Sequence, residues 1–122
     1  MYRIELDTLR RAVIVHIEGF WTLSDVAVFG ADLVATVRKA ALGRDPFDVI
    51  IESLDFPVQA NDVADRLTGV MAEGIDRVSG HVAVVVGSYL NKLQAERTLV
   101  HPKVKVFQQM DDAERWLAAM RA

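Results

Sequence analysis

Two carboxylates and three histidines are the residues whose types could carry acid–base or metal chemistry. Glu52 and Asp55 lie near the end of a predicted strand, where they could act as a general acid–base pair. Neither has a histidine or a nucleophile motif close to it in sequence, and no G-x-S-x-G occurs. His16, His81 and His101 are scattered, and no two have the helical spacing of metal ligands. The absence of cysteine removes disulfides and thiolate sites and fits a reducing compartment. Gly87-Ser88 leads from a strand into a helix, and free amides at such a start can hold an anion. It lacks the repeated glycines and the lysine of a phosphate-cradling loop. The expectation is a chain that is not an enzyme and holds neither metal nor cofactor.

Binding residues are a better prospect. In open parallel sheets, ligands sit beyond the carboxyl ends of the strands. The residues expected there are Phe20 and Trp21, the stretch from Leu54 to Val58 with Phe56, Asn61 and Asp62, Ser88 and Tyr89, and Gln108 and Gln109. Such an aromatic rim suits a protein-docking patch or a small apolar pocket. The bland alternative is that its aromatics close the end of the core.

The elements that must position this rim can be read in order. Tyr2 to Asp7 alternates apolar and charged residues, which predicts a strand with one wet side. A four-residue turn and a strand over 12–18 complete an antiparallel hairpin. A helix over about 25–41, capped by Thr22 or Ser24, carries the stripe Val26, Phe29, Leu33, Val37 and Ala40. A third strand over 47–52 leads into a long apolar loop, 53–60. Asn61 or Asp62 is expected to cap the next helix, with Val63, Leu67, Val70 and Met71 inward. Gly69 inside it suggests a close helix–sheet contact. That helix stops at Gly74 or runs on to Arg77.

Val82 to Val86 is an unbroken apolar run, expected as the central strand with helices on both its faces. A helix carrying Leu90, Leu93 and Arg97, a strand over 103–107, and a helix from Asp111 or Asp112 with Ala113, Trp116, Leu117 and Met120 inward complete the chain. The order β-β-α-β-α-β-α-β-α predicts an α/β fold, a mostly parallel five-stranded sheet flanked by helices.

A length of 122 residues suits one domain, 1–122. A net charge of -3 without a basic patch argues against nucleic acid. No apolar run approaches the ~20 residues of a membrane span, and Glu5 and Asp7 are foreign to a signal peptide. A soluble cytoplasmic protein is expected. The 52% hydrophobic content leaves apolar surface to spare for a partner.

At this point the chain resembles a known family. Arg77, His81-Val82-Ala83-Val84-Val85, Val104-Lys105-Val106-Phe107 and Asp112-Ala113-Glu114-Arg115-Trp116-Leu117 are similar to the C-terminal part of the SpoIIAA-like branch of the STAS domains, the STAS/SEC14 proteins. The resemblance implies the fold of the anti-sigma-factor antagonists. In those antagonists a serine at the start of the helix after the third strand is phosphorylated, which breaks binding to a kinase-like anti-sigma factor. Here the corresponding residues are Gln59-Ala60-Asn61-Asp62, with no hydroxyl.

The expected function is therefore a non-catalytic interaction domain without that serine switch, binding a protein partner or itself. Its face would be the first helix with the loop up to Asn61, through Val28, Val34, Phe56 and Val58. The alternative, suggested by the SEC14 half of the family name, is a binder of a small apolar or lipid-like ligand near Trp21, Phe56 and Tyr89.

Overall fold

The computed structural model describes residues 1–121. Strands β1 (Tyr2–Asp7) and β2 (Ala12–Ile17) form the hairpin, followed by α1 (Leu23–Ala41), β3 (Asp48–Ser53), α2 (Asn61–Asp76), β4 (Val82–Val86), α3 (Tyr89–Thr98), β5 (Val104–Phe107) and α4 (Met110–Arg121). The sheet order is β1-β2-β3-β4-β5. β1 pairs with β2 antiparallel, and every later pair is parallel. The α/β class and the order of elements are as the sequence predicts.

The strand order accounts for the layers. From β2 onward each crossover steps one strand in the same direction. A right-handed crossover stepping one way always puts its helix on the same face. Accordingly α1, α2 and α3 share one face, over a core that includes Val13, Val15, Phe29, Leu33, Ile51 and Val84. α4 joins no two strands and is free to take the other face. There Ala113 and Leu117 bury Ile50, Ala83 and Val85.

β4 is buried at all five positions. Val82, Val84 and Val86 face the three-helix layer, whereas Ala83 and Val85 face α4. Helices do lie on both sides of it. It is not the middle strand, however: β3 is, with β4 one place nearer the β5 edge.

α1 buries Val26, Phe29, Leu33, Val37 and Ala40, and Thr22 is its cap. The Asp25 amide donates to the Thr22 hydroxyl and the Thr22 amide to the Asp25 carboxylate, a reciprocal pair at the helix start. α2 departs from expectation. Its N-cap is Ala60, with no side-chain cap, and Asn61 and Asp62 already lie in the first turn. The Asp62 carboxylate takes the Val63 amide instead. Gly69 makes no close contact: a Cβ there meets nothing within 4 Å. The close approach lies between helices, where Gly30 of α1 is the residue against Val70 of α2. Gly74 is inside the helix, facing Leu33, and Arg77 is the C-cap.

α3 also differs. Leu90 and Leu93 are exposed, and the residues that pack on the core are Ala95 and Leu99. α4 begins at Met110 rather than at Asp111 or Asp112, with Trp116 half-buried and Met120 exposed.

Candidate functional site

Four connections reach the carboxyl end of the parallel strands: β2 to α1, β3 to α2, β4 to α3 and β5 to α4. The first two are tied by one buried side chain, Gln59. Its carbonyl oxygen accepts the Trp21 amide at 2.8 Å, and its side-chain amide donates to Gly19 O and Pro57 O at 3.0 and 2.8 Å. The Gly19 amide donates to Asp55 O. Gly87 fixes the third connection, since a Cβ there would lie 2.4 Å from the Leu54 carbonyl oxygen. The Ser53 hydroxyl donates to Val85 O at 2.7 Å.

These ties shape an open cleft of about 450 Å³ between α2 and α3. Ile51, Val84 and Val86 contribute from the strands, Leu67 and Met71 from α2, and Ala95 and Leu99 from α3. Phe56, Pro57 and Val58 stand at the loop side. Asn61, Asn91, Gln94 and Arg97 add polar groups. The surface is mostly apolar with a few hydrogen-bonding positions, the usual make-up of a small-molecule site.

The expected rim is thus divided. Phe56, Val58 and Asn61 line the cleft; Phe20, Trp21, Asp62, Ser88 and Tyr89 do not. Trp21 is a core residue, 5% exposed, its ring against Phe29 and Phe56 at 5.1 and 5.3 Å between centroids. For Trp21 the bland reading is the correct one. Ser88 is the N-cap of α3, its hydroxyl accepting the Asn91 amide. Asp62 is exposed on α2. Phe20, Val58 and Tyr89 stand in solvent, 79%, 65% and 63% exposed. Sequence reasoning gave no role to Gln59, nor to the cleft residues Ala95 and Leu99. A glutamine in an otherwise apolar loop was the one available signal, because such a side chain needs partners when buried.

Acid–base residues come together elsewhere. The β2–β3 register pairs His16 with Glu52, and His16 Nδ1 contacts the Glu52 carboxylate. Glu18 lies 3.5 Å from His16 Nε2. Glu52 has no histidine near it in sequence; strand pairing brings His16 to it from 36 residues away. Asp55 takes no part in the cluster, and the Ser53 hydroxyl is committed to Val85 O. Among the described residues no group of three or more His, Cys, Asp or Glu side chains could hold a metal ion. A second space of about 450 Å³ lies beneath α4, beside Arg10, Asp48 and Arg121. Arg121 Nε donates to buried Asp48 at 2.7 Å, and the other Asp48 oxygen accepts the His81 amide at 2.8 Å. This arrangement fastens the end of α4 to the sheet.

An antiparallel hairpin followed by one-step parallel crossovers, with three helices on one face and one on the other, defines an α/β fold shared with solved proteins. An anti-sigma factor antagonist from Mycobacterium paratuberculosis superposes with a TM-score of 0.68 at 13% identity, over 100% of this chain and 96% of that one. A SpoIIAA-like-fold protein of the DUF3478 family from Shewanella loihica gives 0.68 at 15% identity, over 96% and 92%. The Bacillus cell-fate determinant SpoIIAA, in its phosphorylated form, gives 0.62 at 14% identity, over 95% and 99%. No protein-family model and no curated protein matches the sequence. The chain therefore has the SpoIIAA-like fold.

Proposed function

We propose that this chain is a single, non-catalytic protein-interaction domain that docks a partner at the carboxyl end of its sheet. One observation carries the reading. The segments that follow three different strands each present a large apolar side chain to solvent: Phe20 after β2, Val58 after β3 and Tyr89, the first residue of α3, after β4. Leu54 and Leu90 add to them. Exposed apolar groups gathered at one end of a fold mark interaction surfaces. The fold shared with anti-sigma factor antagonists supports the same reading. Residues 59–62 carry no hydroxyl, so docking here would not be switched by phosphate at the start of α2. No helix among the described residues is long and apolar enough to cross a membrane. With no cysteine in the chain, a cytoplasmic setting fits.

The test is affinity capture from extracts of the source cells, comparing the natural chain with a Phe20→Asp, Val58→Asp variant. Both sites are exposed, so the variant should melt like the natural protein. Loss of a specific captured protein is the expected result. Capture that survives both substitutions removes the proposal.

The cleft between α2 and α3 favours a second reading, a small apolar ligand. Its volume falls within the range of roughly 300–1,000 Å³ common for ligand pockets. Native mass spectrometry of the purified protein should then show a retained small molecule. Met71→Trp, which fills the cleft, should abolish that retention.

A further inference from the structure

The two edges of the sheet are β1 and β5. β1 is the longer, six residues against four. Its free backbone groups can be assigned. Met1 and Glu18 exchange hydrogen bonds in both directions, 3.1 Å from the Met1 amino group and 3.0 Å from the Glu18 amide. In an antiparallel ladder such pairs alternate with unbonded ones. Arg3 opposite His16 and Glu5 opposite Ile14 are therefore the next bonded pairs. The amides and carbonyls of Tyr2, Ile4 and Leu6 are left pointing out of the sheet.

We propose that two copies of this chain join through β1, antiparallel and centred on Ile4, so that one sheet continues across both. This surface is separate from the docking end described above, and the proposal goes beyond that reading. Hydrogen bonding requires Tyr2, Ile4 and Leu6 to pair among themselves across the junction, which leaves three central registers. Centring on Arg3 sets Arg3 against its own copy. Centring on Glu5 sets Glu5 against its own copy, with Arg3 against Asp7 on either side. Centring on Ile4 sets Arg3 against Glu5 twice over. Opposite charges facing one another across unbonded pairs stabilise such a ladder, and like charges destabilise it. Only the Ile4 register sets no like charges opposite one another, so the charge order of β1 favours it over the other two.

Nothing already engages these side chains strongly. Arg3 and Glu5 touch each other within one copy at 3.0 Å, but are 69% and 56% exposed. α1 lies over the same strand, where the Tyr2 hydroxyl reaches the Asp32 carboxylate. Val28, one turn before Asp32 on that flank of α1, is 57% exposed and would meet the neighbouring helix. The β5 edge has no such pattern. Lys105, exposed on β5, supplies a charge of the kind that protects an edge from pairing, and Lys103 Nζ is turned inward to Val78 O at 2.6 Å.

Sedimentation velocity over a wide concentration range tests the proposal with the intact chain. The natural protein should form a dimer. Glu5→Arg alone, or Arg3→Glu alone, should weaken it at least about tenfold, since each sets like charges opposite one another. Mixing these two variants should restore a dimer containing one of each, and so should the double exchange within one chain. Both positions are exposed, and unchanged thermal unfolding confirms that the variants fold. The register has its own readout, because the chain has no natural cysteine. Residues in an unbonded pair have Cα atoms about 4.5 Å apart, within disulfide reach. Arg3→Cys mixed with Glu5→Cys should cross-link on oxidation, and Glu5→Cys alone should not. A natural protein that stays monomeric overturns the proposal. So does a dimer indifferent to both charge reversals, or cross-linking of Glu5→Cys with itself.

Discussion

The two faces of the sheet are covered unequally, and the difference shows how strand order governs a core. On one face α1, α2 and α3 enclose Val13, Val15, Phe29 and Val84. On the other, α4 alone covers Ile50, Ala83 and Val85, and the β1–β2 half of that face is left to Arg3, Glu5 and His16. Helical content does not produce this asymmetry. It arises because three helices are crossovers stepping in one direction, and the fourth is not a crossover. The multi-helix face holds most of the buried volume, so its residues should tolerate change least.

Substitutions measured by chemical unfolding can break that expectation. The largest loss should come from Phe29→Ala, about 3–5 kcal/mol, since Phe29 is wholly buried and touches both Tyr2 and Trp21. Leu117→Ala on the single-helix face should cost about 2–3 kcal/mol, because its surroundings already open onto the space beneath α4. Equal losses at the two positions would contradict the asymmetry. Asp48→Ala should cost about 2 kcal/mol by freeing Arg121 and the His81 amide, and hydrogen exchange should show the end of α4 opening first. Thr22→Ala should cost about 1 kcal/mol through the lost cap of α1.

The smallest effect is one of pH. The Thr22 amide, then the Thr22 hydroxyl, hold the Asp25 carboxyl below its ordinary value of 3.8. A lowered value in the folded state means that the ionised form is the one stabilised. The gain is fully present above 3.8 and is lost as pH falls through the lowered value. Asp25→Asn should remove that acid-side decline and leave the stability profile above neutral pH unchanged in shape.

The same contrast explains what could be read from the sequence. The five inward residues of α1 repeat at helical spacing, a local signal that survives without knowledge of the fold. The β4 run identified a strand buried on both faces for the same reason. Its place in the sheet was not legible, because strand order is set by chain-wide packing. α3 misled because no side chain in its span is fully buried: it rests on the core through half-buried Ala95 and through Leu99, the cap residue beyond it. The cleft was half legible. Phe56, Val58 and Asn61 were expected at a binding site, whereas Ala95 and Leu99 reach it only through the approach of α3 to α2. The His16–Glu52 contact depends on parallel register, which no spacing along the chain encodes. Trp21 was expected on the rim, but Gln59 holds its backbone and the aromatic cluster takes its ring inward.

The position of α4 in the chain has a consequence for synthesis. Every strand lies beside the one made before it, so the sheet can be assembled strand by strand as the polypeptide leaves the ribosome. Only α4, translated after all five, shields Ile50, Ala83 and Val85 from water. Until Leu117 has emerged, the nascent protein carries a sticky stripe on its back, the kind of surface that chaperones recognise.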